Sequence, residues 1–343
     1  MKKLSDLRFP CAVIVIGSAI LIAALPVGAQ STEGMVAPHR HGPASIRHLH
    51  SDGTAESDNW AGYAIAAATP PTTPTSPTGV TVTSVTASWV VPEVSKDWCQ
   101  SSPNSESSFW VGIDGWYSPT VEQIGTDSDC SNGTPTYYAW YEFYPLDSYY
   151  ACAAASSSCK LMTLAPGDLM VATVNCNTDG TCTATITDES INPPNNSFST
   201  TFTPTKQTGT PQLSSGEWIA ETPCCTKAGD YLRLADFGTI SYGQDYCGVL
   251  RGTDTPVCVA GTGKVTNYAT VITSAALTAP INSFFSIGPA TWWACTMVNE
   301  KYPIPDDGVN PPAQPPKKYL MAVPSGLSPD GSSFQVTFKH RGP

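Results

Sequence analysis

Apolar and polar residues alternate along much of the chain between about residue 59 and residue 338. The alternation is clearest in five runs, namely Val80–Thr83, Ala87–Val91, Leu169–Val174, Thr183–Thr187 and Phe334–Phe338. Successive side chains of a strand point to opposite faces, so this period of two predicts half-buried strands. Clusters of Gly, Pro, Asn and Asp separate the runs and predict turns. No stretch has a sustained helical period, and the pattern therefore predicts one all-β antiparallel sandwich from about Asn59 to Phe338.

The first 29 residues have the three parts of a secretory signal. Lys2, Lys3 and Arg8 precede an apolar stretch over 11–25, and Val27-Gly28-Ala29 forms a small-residue cleavage site. About 15 apolar residues are short for a membrane span, which needs about 20. The sequence therefore predicts a secreted, extracellular protein that has no membrane contact once the signal is removed.

Residues 30–57 differ in composition from the chain that follows. They hold four of the five histidines, two arginines and three acidic residues, and they show no strand pattern. We interpret them as either a disordered N-terminal tail or a short pro-segment. Protonation of the four histidines, centred near about pH 6.5, would change the charge from −1 to +3. The domain at 58–343 carries −12, so we hypothesise that this segment keeps a zymogen latent until acid alters both sides of the contact.

Charge and histidine placement exclude several classes of function. The chain has a net charge of −11 and only 13% charged residues, which argues against a nucleic-acid partner. No histidine lies between Ser51 and Lys339, so the core should contain no Ser-His-Asp triad, Cys-His pair or His-ligated zinc. The pairs Asp127/Asp129 and Asp306/Asp307 are too sparse for a calcium loop. We expect neither a metal nor a cofactor.

Cysteines are the next constraint, because a secreted chain keeps disulfides. Eleven of the 12 cysteines lie beyond the signal. Close spacing predicts the pairs Cys152–Cys159, Cys176–Cys182 and Cys247–Cys258, and a fourth, more widely spaced pair is Cys99–Cys130. Cys224, Cys225 and Cys295 remain, which leaves one thiol over.

Aromatic, acidic and amide side chains concentrate in five segments, namely Asp58–Tyr63, Phe109–Gly115, Val121–Asp127, Tyr138–Pro145 and Gly216–Pro223. On a strand, Trp140, Glu142 and Tyr144 share one face, and positions 217, 219 and 221 share another. Strands that place acids and aromatic rings on a common face indicate a lined groove.

Taken in this order, the segments resemble the glutamic peptidase (eqolisin) family. The matching pieces are Asn59–Tyr63, Trp110–Gly115, Gln123–Asp127, Ala139–Pro145 and Glu217–Glu221, and the resemblance extends over about 58–338. It implies a concanavalin-like β-sandwich of two large antiparallel sheets, acting on protein or peptide substrates as a monomer. It also implies a catalytic pair, Gln123 and Glu221, and substrate-binding residues Trp60, Trp110, Asp114, Asp127, Trp140, Glu142 and Tyr144.

The implied chemistry agrees with the composition. A Glu with an ordinary pKa of about 4.3 is a suitable base in acid, where histidine would be protonated. The side-chain amide of Gln123 can stabilise an oxyanion. The chain departs from the family in additional sequence around 151–160 and 264–318 and in its short pro-segment.

Two other functions fit an aromatic-lined sandwich. One is a glycoside hydrolase with Glu142 and Glu221 as its carboxylate pair. The other is a non-catalytic carbohydrate-binding module whose exposed rings stack on sugars. Gln123 discriminates against the hydrolase, because a two-carboxylate glycosidase has no evident need for an amide at that position.

Overall fold

The computed structural model describes residues 35–67, 80–152, 159–193, 195–206, 208–224, 231–243, 285–287, 290–299, 319–327 and 333–339. The signal sequence and the pair Cys247–Cys258 lie outside these residues, as does most of 264–318. Within the described residues, no helix is long and apolar enough to cross a membrane.

The described chain forms one short helix, α1 (Lys96–Ser101), and nineteen strands. The strands are β1 (Ile46–Leu49), β2 (Thr54–Ser57), β3 (Trp60–Ala67), β4 (Val80–Val82), β5 (Ser84–Val90), β6 (Asn104–Ser105), β7 (Ser108–Ile113), β8 (Val121–Ser131), β9 (Thr134–Tyr144), β10 (Tyr149–Tyr150), β11 (Leu169–Cys176), β12 (Cys182–Asp188), β13 (Ser197–Phe202), β14 (Gly216–Glu221), β15 (Thr239–Tyr242), β16 (Phe285–Ile287), β17 (Ala290–Asn299), β18 (Tyr319–Pro324) and β19 (Phe334–Phe338).

The strands form two layers joined through one edge. The front layer runs β9-β8-β7-β14-β3-β17 with antiparallel neighbours throughout. From β17 the sheet continues through β18, β19 and β15 into β5, and the back layer then runs β5-β11-β12-β13. The prediction of an antiparallel β-sandwich is confirmed.

The inner faces of the two layers enclose the larger apolar core. Phe143 of β9 stacks on Phe202 of β13 with ring centroids 4.9 Å apart, and Tyr141 stacks on Phe198 at 5.0 Å. Because Tyr141 and Phe143 point inward, the alternate residues of β9 point to the outer face of the front layer. A second apolar cluster lies on that outer face and includes the buried rings of Trp60, Trp110, Trp116, Trp140 and Trp293.

Three disulfides are present among the described cysteines, namely Cys99–Cys130, Cys152–Cys159 and Cys176–Cys182. All three are among the predicted pairs, two of them from close spacing and Cys99–Cys130 as the more widely spaced one. Cys99–Cys130 connects α1 to β8, while the other two each close a loop of fewer than ten residues.

Strands β1 and β2, within residues 46–57, are built into the sheet, although this part of the sequence shows no strand pattern. Strand β1 pairs with β2, and β2 lies parallel to β17, with Ala55 opposite Cys295. The described residues of 34–343 form one compact unit. Strand β17 lies some 240 residues after β2 in the chain, so the local sequence pattern could not reveal that these two strands pair.

Candidate active site

Glu221 is the last residue of β14 and lies between Trp60 of β3 and Ser108 of β7 in the strand register. Its carboxyl group is fully buried. Trp110 Nε1 donates to Oε2 at 2.8 Å, and Asn59 Nδ2 donates to Oε1 at 3.3 Å. Two neutral donors therefore fix the orientation of this carboxyl group on the outer face of the front layer.

Burial raises the pKa of Glu221 to about 8, against the opposing effects of the nearby His41 cation and the Trp110 hydrogen bond. A buried carboxyl avoids the cost of a desolvated charge by keeping its proton. In the groove as it stands, Glu221 is therefore an uncharged acid at neutral pH.

Gln123 lies on the same outer face, on β8, and is opposite Gly112 of β7 and Glu142 of β9. Its side chain is buried, and Nε2 donates to the backbone carbonyl oxygen of His41. Gly112 and Gly125 make room for the aromatic floor beside it. A Cβ on Gly112 would lie 2.8 Å from the Trp110 ring, and one on Gly125 would lie 2.5 Å from the Trp110 Cβ.

Residues 37–45, here called the covering segment, run across this face. The Ala37 N–H donates to the Ser148 carbonyl at 2.9 Å, and the Ala44 N–H donates to the Gly115 carbonyl at 3.0 Å. Between them, Arg40 and Cys224 exchange backbone hydrogen bonds of 3.2 and 2.8 Å. The covering segment is thus held by its main chain at three places around the groove.

The side chain of His41 fills a pocket formed by Asp127, Trp140 and Glu142. Its ring lies parallel to Trp140 with the centroids 3.5 Å apart. Nε2 lies 3.4 Å from Asp127 Oδ1, and Nδ1 lies 3.3 Å from Glu142 Oε2. The His41 N–H also donates to Glu142 Oε2 at 2.7 Å.

The two carboxylates determine the charge of His41. Burial favours the neutral ring, but Asp127 and Glu142 outweigh it and raise the pKa of His41 to about 10. Burial likewise disfavours the charge of Asp127, yet the His41 cation lowers the pKa of that carboxyl below its usual value. The pocket is therefore built to hold a cationic ring.

Arg40 occupies the rim of the groove next to Tyr144. Its guanidinium carbon lies 5.5 Å from the centroid of the Tyr144 ring, and Nη2 donates to the Leu146 carbonyl at 2.9 Å. Tyr144 is half-buried, in contrast to the fully buried Trp60 and Trp140. It marks the edge of the lined surface.

Eight of the nine residues proposed from sequence for the site come together on this face, but Asp114 does not join them. The Asp114 carboxylate accepts the N–H groups of Gln212, Leu213 and Ser214 at 2.7, 2.9 and 2.8 Å, and the Ser214 hydroxyl at 2.7 Å. All its hydrogen-bonding capacity is directed at that loop. We therefore assign Asp114 the role of fixing the chain before β14 rather than of contacting substrate.

Three residues of the site were not identified as such from sequence. His41 and Arg40 belong to the segment interpreted as a tail or a pro-segment, because nothing in the local sequence connects them to the groove. Asn59 stands at the start of the motif Asn59–Tyr63 but was not singled out. Its Nδ2 links Glu221 to the Pro43 carbonyl, which it reaches at 3.2 Å.

One group of side chains among the described residues could hold a cation. Ligand atoms of His39, Asp127 and Asp129 lie within 4.8 Å of one another. His39 Nε2 already lies 3.4 Å from Asp129 Oδ2, and the Tyr138 hydroxyl lies 2.7 Å from Asp127 and 3.0 Å from Asp129. The second oxygen of Asp127, Oδ1, faces His41 Nε2 at 3.4 Å.

The pKa shifts predict that the chain is most stable in mild acid. Between its ordinary pKa of about 4.3 and about 8, Glu221 binds a proton more tightly in the folded state, so stability falls as pH rises. His41 contributes to the free energy of unfolding in full below about pH 6.5, and this contribution is lost as pH rises through about 10. Asp127 has the opposite pH dependence. It stabilises the folded chain above its ordinary pKa, and this stabilisation is lost as pH falls through its lowered pKa.

Thermal unfolding from pH 3 to pH 9 checks this in a Gln123→Ala chain, which should not digest itself. We expect the free energy of unfolding to decline between about pH 5 and 8, by up to about 1.4 kcal/mol per pH unit for each such group. Adding Glu221→Gln should make that decline less steep by the contribution of one such group, because other buried acids such as Glu217 and Glu122 have raised pKa values as well. A stability that instead rises steadily toward pH 8 would contradict the assignment.

Comparison with known proteins gives the family and the fold of the chain. Aspergillopepsin-2 of Aspergillus niger is 29% identical over 156 residues, which make up 45% of this chain and 48% of that protein. The chain thus spans about half the length of the curated relative it matches. A crystal structure of scytalido-glutamic peptidase with a transition-state analogue inhibitor has a TM-score of 0.50 and 18% identity, and covers 82% of this chain and 98% of its own. That likeness establishes the shared fold.

Residues 58–281 match the Peptidase A4 family, and the chain therefore belongs to that family of glutamic peptidases, the eqolisins.

Proposed function

We propose that this protein is a secreted acid endopeptidase in which Glu221 is the general base and Gln123 stabilises the oxyanion. The observation that carries the proposal is the contact between Gln123 Nε2 and a backbone carbonyl oxygen, that of His41. A substrate carbonyl in that position would meet a donor suited to the negative charge that develops on its oxygen.

The position of Glu221 relative to the same stretch of backbone supports a role as base. Asn59 Nδ2 reaches both Glu221 Oε1 and the Pro43 carbonyl. The carbonyls of His41 and Pro43 are two residues apart, or at most about 7 Å along an extended chain. Gln123 contacts this short stretch of backbone directly, and Glu221 is linked to it through Asn59, two peptide units further along.

The reaction follows from these groups. Glu221 takes a proton from water as the water oxygen adds to the peptide carbon, and the carbonyl oxygen gains charge against the Gln123 amide. The proton then passes to the amide nitrogen as the carbon–nitrogen bond breaks. The products are a carboxylic acid and an amine, and Glu221 returns to its starting form.

Acid activity follows from the choice of base. With the covering segment in place, Glu221 is protonated below about pH 8 and cannot accept a proton. Water in an open groove removes the burial that causes this shift, and an ordinary Glu is ionised above about pH 4. The open site should therefore work at a lower pH than sites that depend on histidine.

Secretion is supported by the signal-like first 29 residues and by the three disulfides, which persist in oxidising compartments. The proposal also needs no metal or cofactor, because every step uses water, a carboxyl group and an amide.

The test is digestion of a denatured protein at pH 3 to 5, beside a panel of β-linked and α-linked glycans. We expect new peptide termini in the protein, none in a Glu221→Gln sample, and no sugar released. Sugar release that depends on Glu142 and Glu221 would instead support the glycoside hydrolase. Tight glycan binding without any hydrolysis would support a binding module.

A further inference from the structure

A second group of ionisable side chains lies next to the pocket of His41 and is here called the acidic cluster. Its members are Glu106 between β6 and β7, Asp127 and Asp129 on β8, and His39 in the covering segment. The register of β6 and β7 against β8 places Glu106 opposite Asp129, and Asp127 lies on the same face of β8 two residues earlier. The fold thus brings three carboxyl groups together next to one imidazole ring.

The distances within the acidic cluster fit a metal ion. Ligand atoms of His39, Asp127 and Asp129 all lie within 4.8 Å of one another. His39 Nε2 lies 3.4 Å from Asp129 Oδ2. Two ligands of a tetrahedral ion with bonds of about 2.1 Å are also about 3.4 Å apart. The folded chain therefore holds these atoms at the spacing of a coordination shell.

Glu106 is a second, independent indication that the acidic cluster binds a cation. Only 7% of its surface is exposed, and its Oε2 has no hydrogen-bond partner among the described residues. Its carboxyl group interacts electrostatically with His39, Asp129 and Asp127. Because a buried carboxylate oxygen without a partner is costly, a cation bound in the cluster would stabilise it.

The protein directs few hydrogens at these carboxyl groups. The Tyr138 hydroxyl lies 2.7 Å from Asp127 Oδ2 and 3.0 Å from Asp129 Oδ2, but it has a single proton to donate. Tyr138 therefore cannot donate to both carboxylates at once. A cation between them would balance the charge that the hydroxyl leaves uncompensated.

We propose that the acidic cluster binds a divalent transition-metal ion of the Zn²⁺ type, with His39, Asp127 and Asp129 as ligands and Glu106 as a fourth donor. Such an ion would join the covering segment, which carries His39, to β8, which carries both aspartates. The proposed peptide hydrolysis does not involve the ion, so this inference is independent of the proposed function.

The donor set favours Zn²⁺ over Ca²⁺ and Mg²⁺, because imidazole is a ligand of Zn²⁺ whereas the other two ions prefer oxygen alone. The site can be reached from solvent, since 17% of the His39 side chain is exposed. The sequence-based expectation that no metal binds depended on the absence of histidine between Ser51 and Lys339, and His39 lies outside that range.

The first experiment titrates the whole Glu221→Gln chain with zinc chloride at pH 7 in a calorimeter, so that no peptide hydrolysis contributes heat. We expect a site for one ion that depends on His39 and Asp129. Adding His39→Ala or Asp129→Asn should raise Kd by at least about 100-fold, because loss of an outer-sphere partner alone costs about 10- to 100-fold. His48→Ala is the matched control, since His48 is exposed on β1, and Kd should stay within about twofold.

Thermal unfolding without the metal shows whether each variant is folded, and Asp129→Asn keeps the shape of the side chain if His39→Ala does not fold. The absence of any binding heat in the millimolar range would overturn the proposal. The same Kd in the His39→Ala and Asp129→Asn chains would also overturn it, because the ion would then be bound elsewhere. Ca²⁺ that competes equally with Zn²⁺ would show that His39 is not a ligand.

The second experiment measures hydrogen exchange in the covering segment with and without Zn²⁺. The N–H groups of Ala37, Arg40 and Ala44 are hydrogen-bonded across the groove. If the segment must release the ion before it opens, their exchange should slow by up to about 100-fold at a Zn²⁺ concentration of about 100 Kd. Amides of β13 in the back layer are the control and should not change. Exchange of the covering segment that is unaffected by saturating Zn²⁺ would refute the link to β8.

Discussion

Replacing Glu221 by Gln is expected to lower kcat/KM on a denatured protein by about 10⁴-fold, the upper end of what one general base contributes. Gln keeps the shape of Glu and can still meet Trp110 and Asn59, but it accepts no proton. Initial rates of the purified variant at pH 3 to 5, beside its thermal unfolding, measure the effect separately from any loss of fold.

Glu217 provides a matched control on the same strand and face. Like Glu221 it is fully buried, and burial raises its pKa well above the usual value. The proposed mechanism gives Glu217 no role, and Gln keeps the size of its protonated carboxyl group, so Glu217→Gln should leave kcat/KM within about threefold. A Glu221→Gln enzyme that retains normal activity would refute the assignment of the base. Equal losses in both variants would show that the effect comes from the disturbed core instead.

The second large effect is expected from Gln123→Ala, with a loss of about 10²–10³ in kcat, as is typical when one oxyanion donor is removed. The donor acts most strongly when the carbonyl oxygen carries charge, so kcat should fall much more than KM changes. Rates over a range of substrate concentrations separate the two constants.

Gln335 serves as the control for loss of an amide. It lies on β19, where its Nε2 donates to the Ser241 hydroxyl at 3.2 Å, and it has no contact with the groove. Gln335→Ala should therefore leave kcat unchanged. If Gln123→Ala raised KM and left kcat intact, Gln123 would be a binding residue and the oxyanion role would be wrong.

Much of the front layer could be predicted from sequence, because strand alternation decides which side chains share a face. Trp140, Glu142 and Tyr144 were expected on one surface, and they lie there while Phe143 points into the core. Two of the three observed disulfides, Cys152–Cys159 and Cys176–Cys182, were likewise predictable from close spacing along the chain. Such features depend on residues that are close together in the chain, and these can be recognised in the sequence.

The role of Asp114 could not be read in the same way. It stands inside a motif that borders the groove, yet its carboxylate is turned to the backbone of residues 212–214. The direction of that side chain follows from a positive φ of 71° at Asp114 and from a loop nearly a hundred residues away. Neither is visible in an alternating pattern.

The histidines illustrate the same limit more sharply. Their absence between Ser51 and Lys339 correctly describes that range, and it led to the expectation that histidine lies outside the folded core. His41 is nevertheless fully buried in the groove. Position along the chain separates it from Asp127 and Glu142 by about 90 and 100 residues, so only the folded structure brings the charges together.

Gly112 and Gly125 make the groove sensitive to substitution at two positions that carry no reactive group. At each position a single added carbon would collide with Trp110, the ring that holds the Glu221 carboxyl group in place. In a survey of all single substitutions, these two sites should tolerate change as poorly as the proposed base itself. The two glycines therefore constrain the sequence of the groove through the space they leave for Trp110, although neither carries a reactive group.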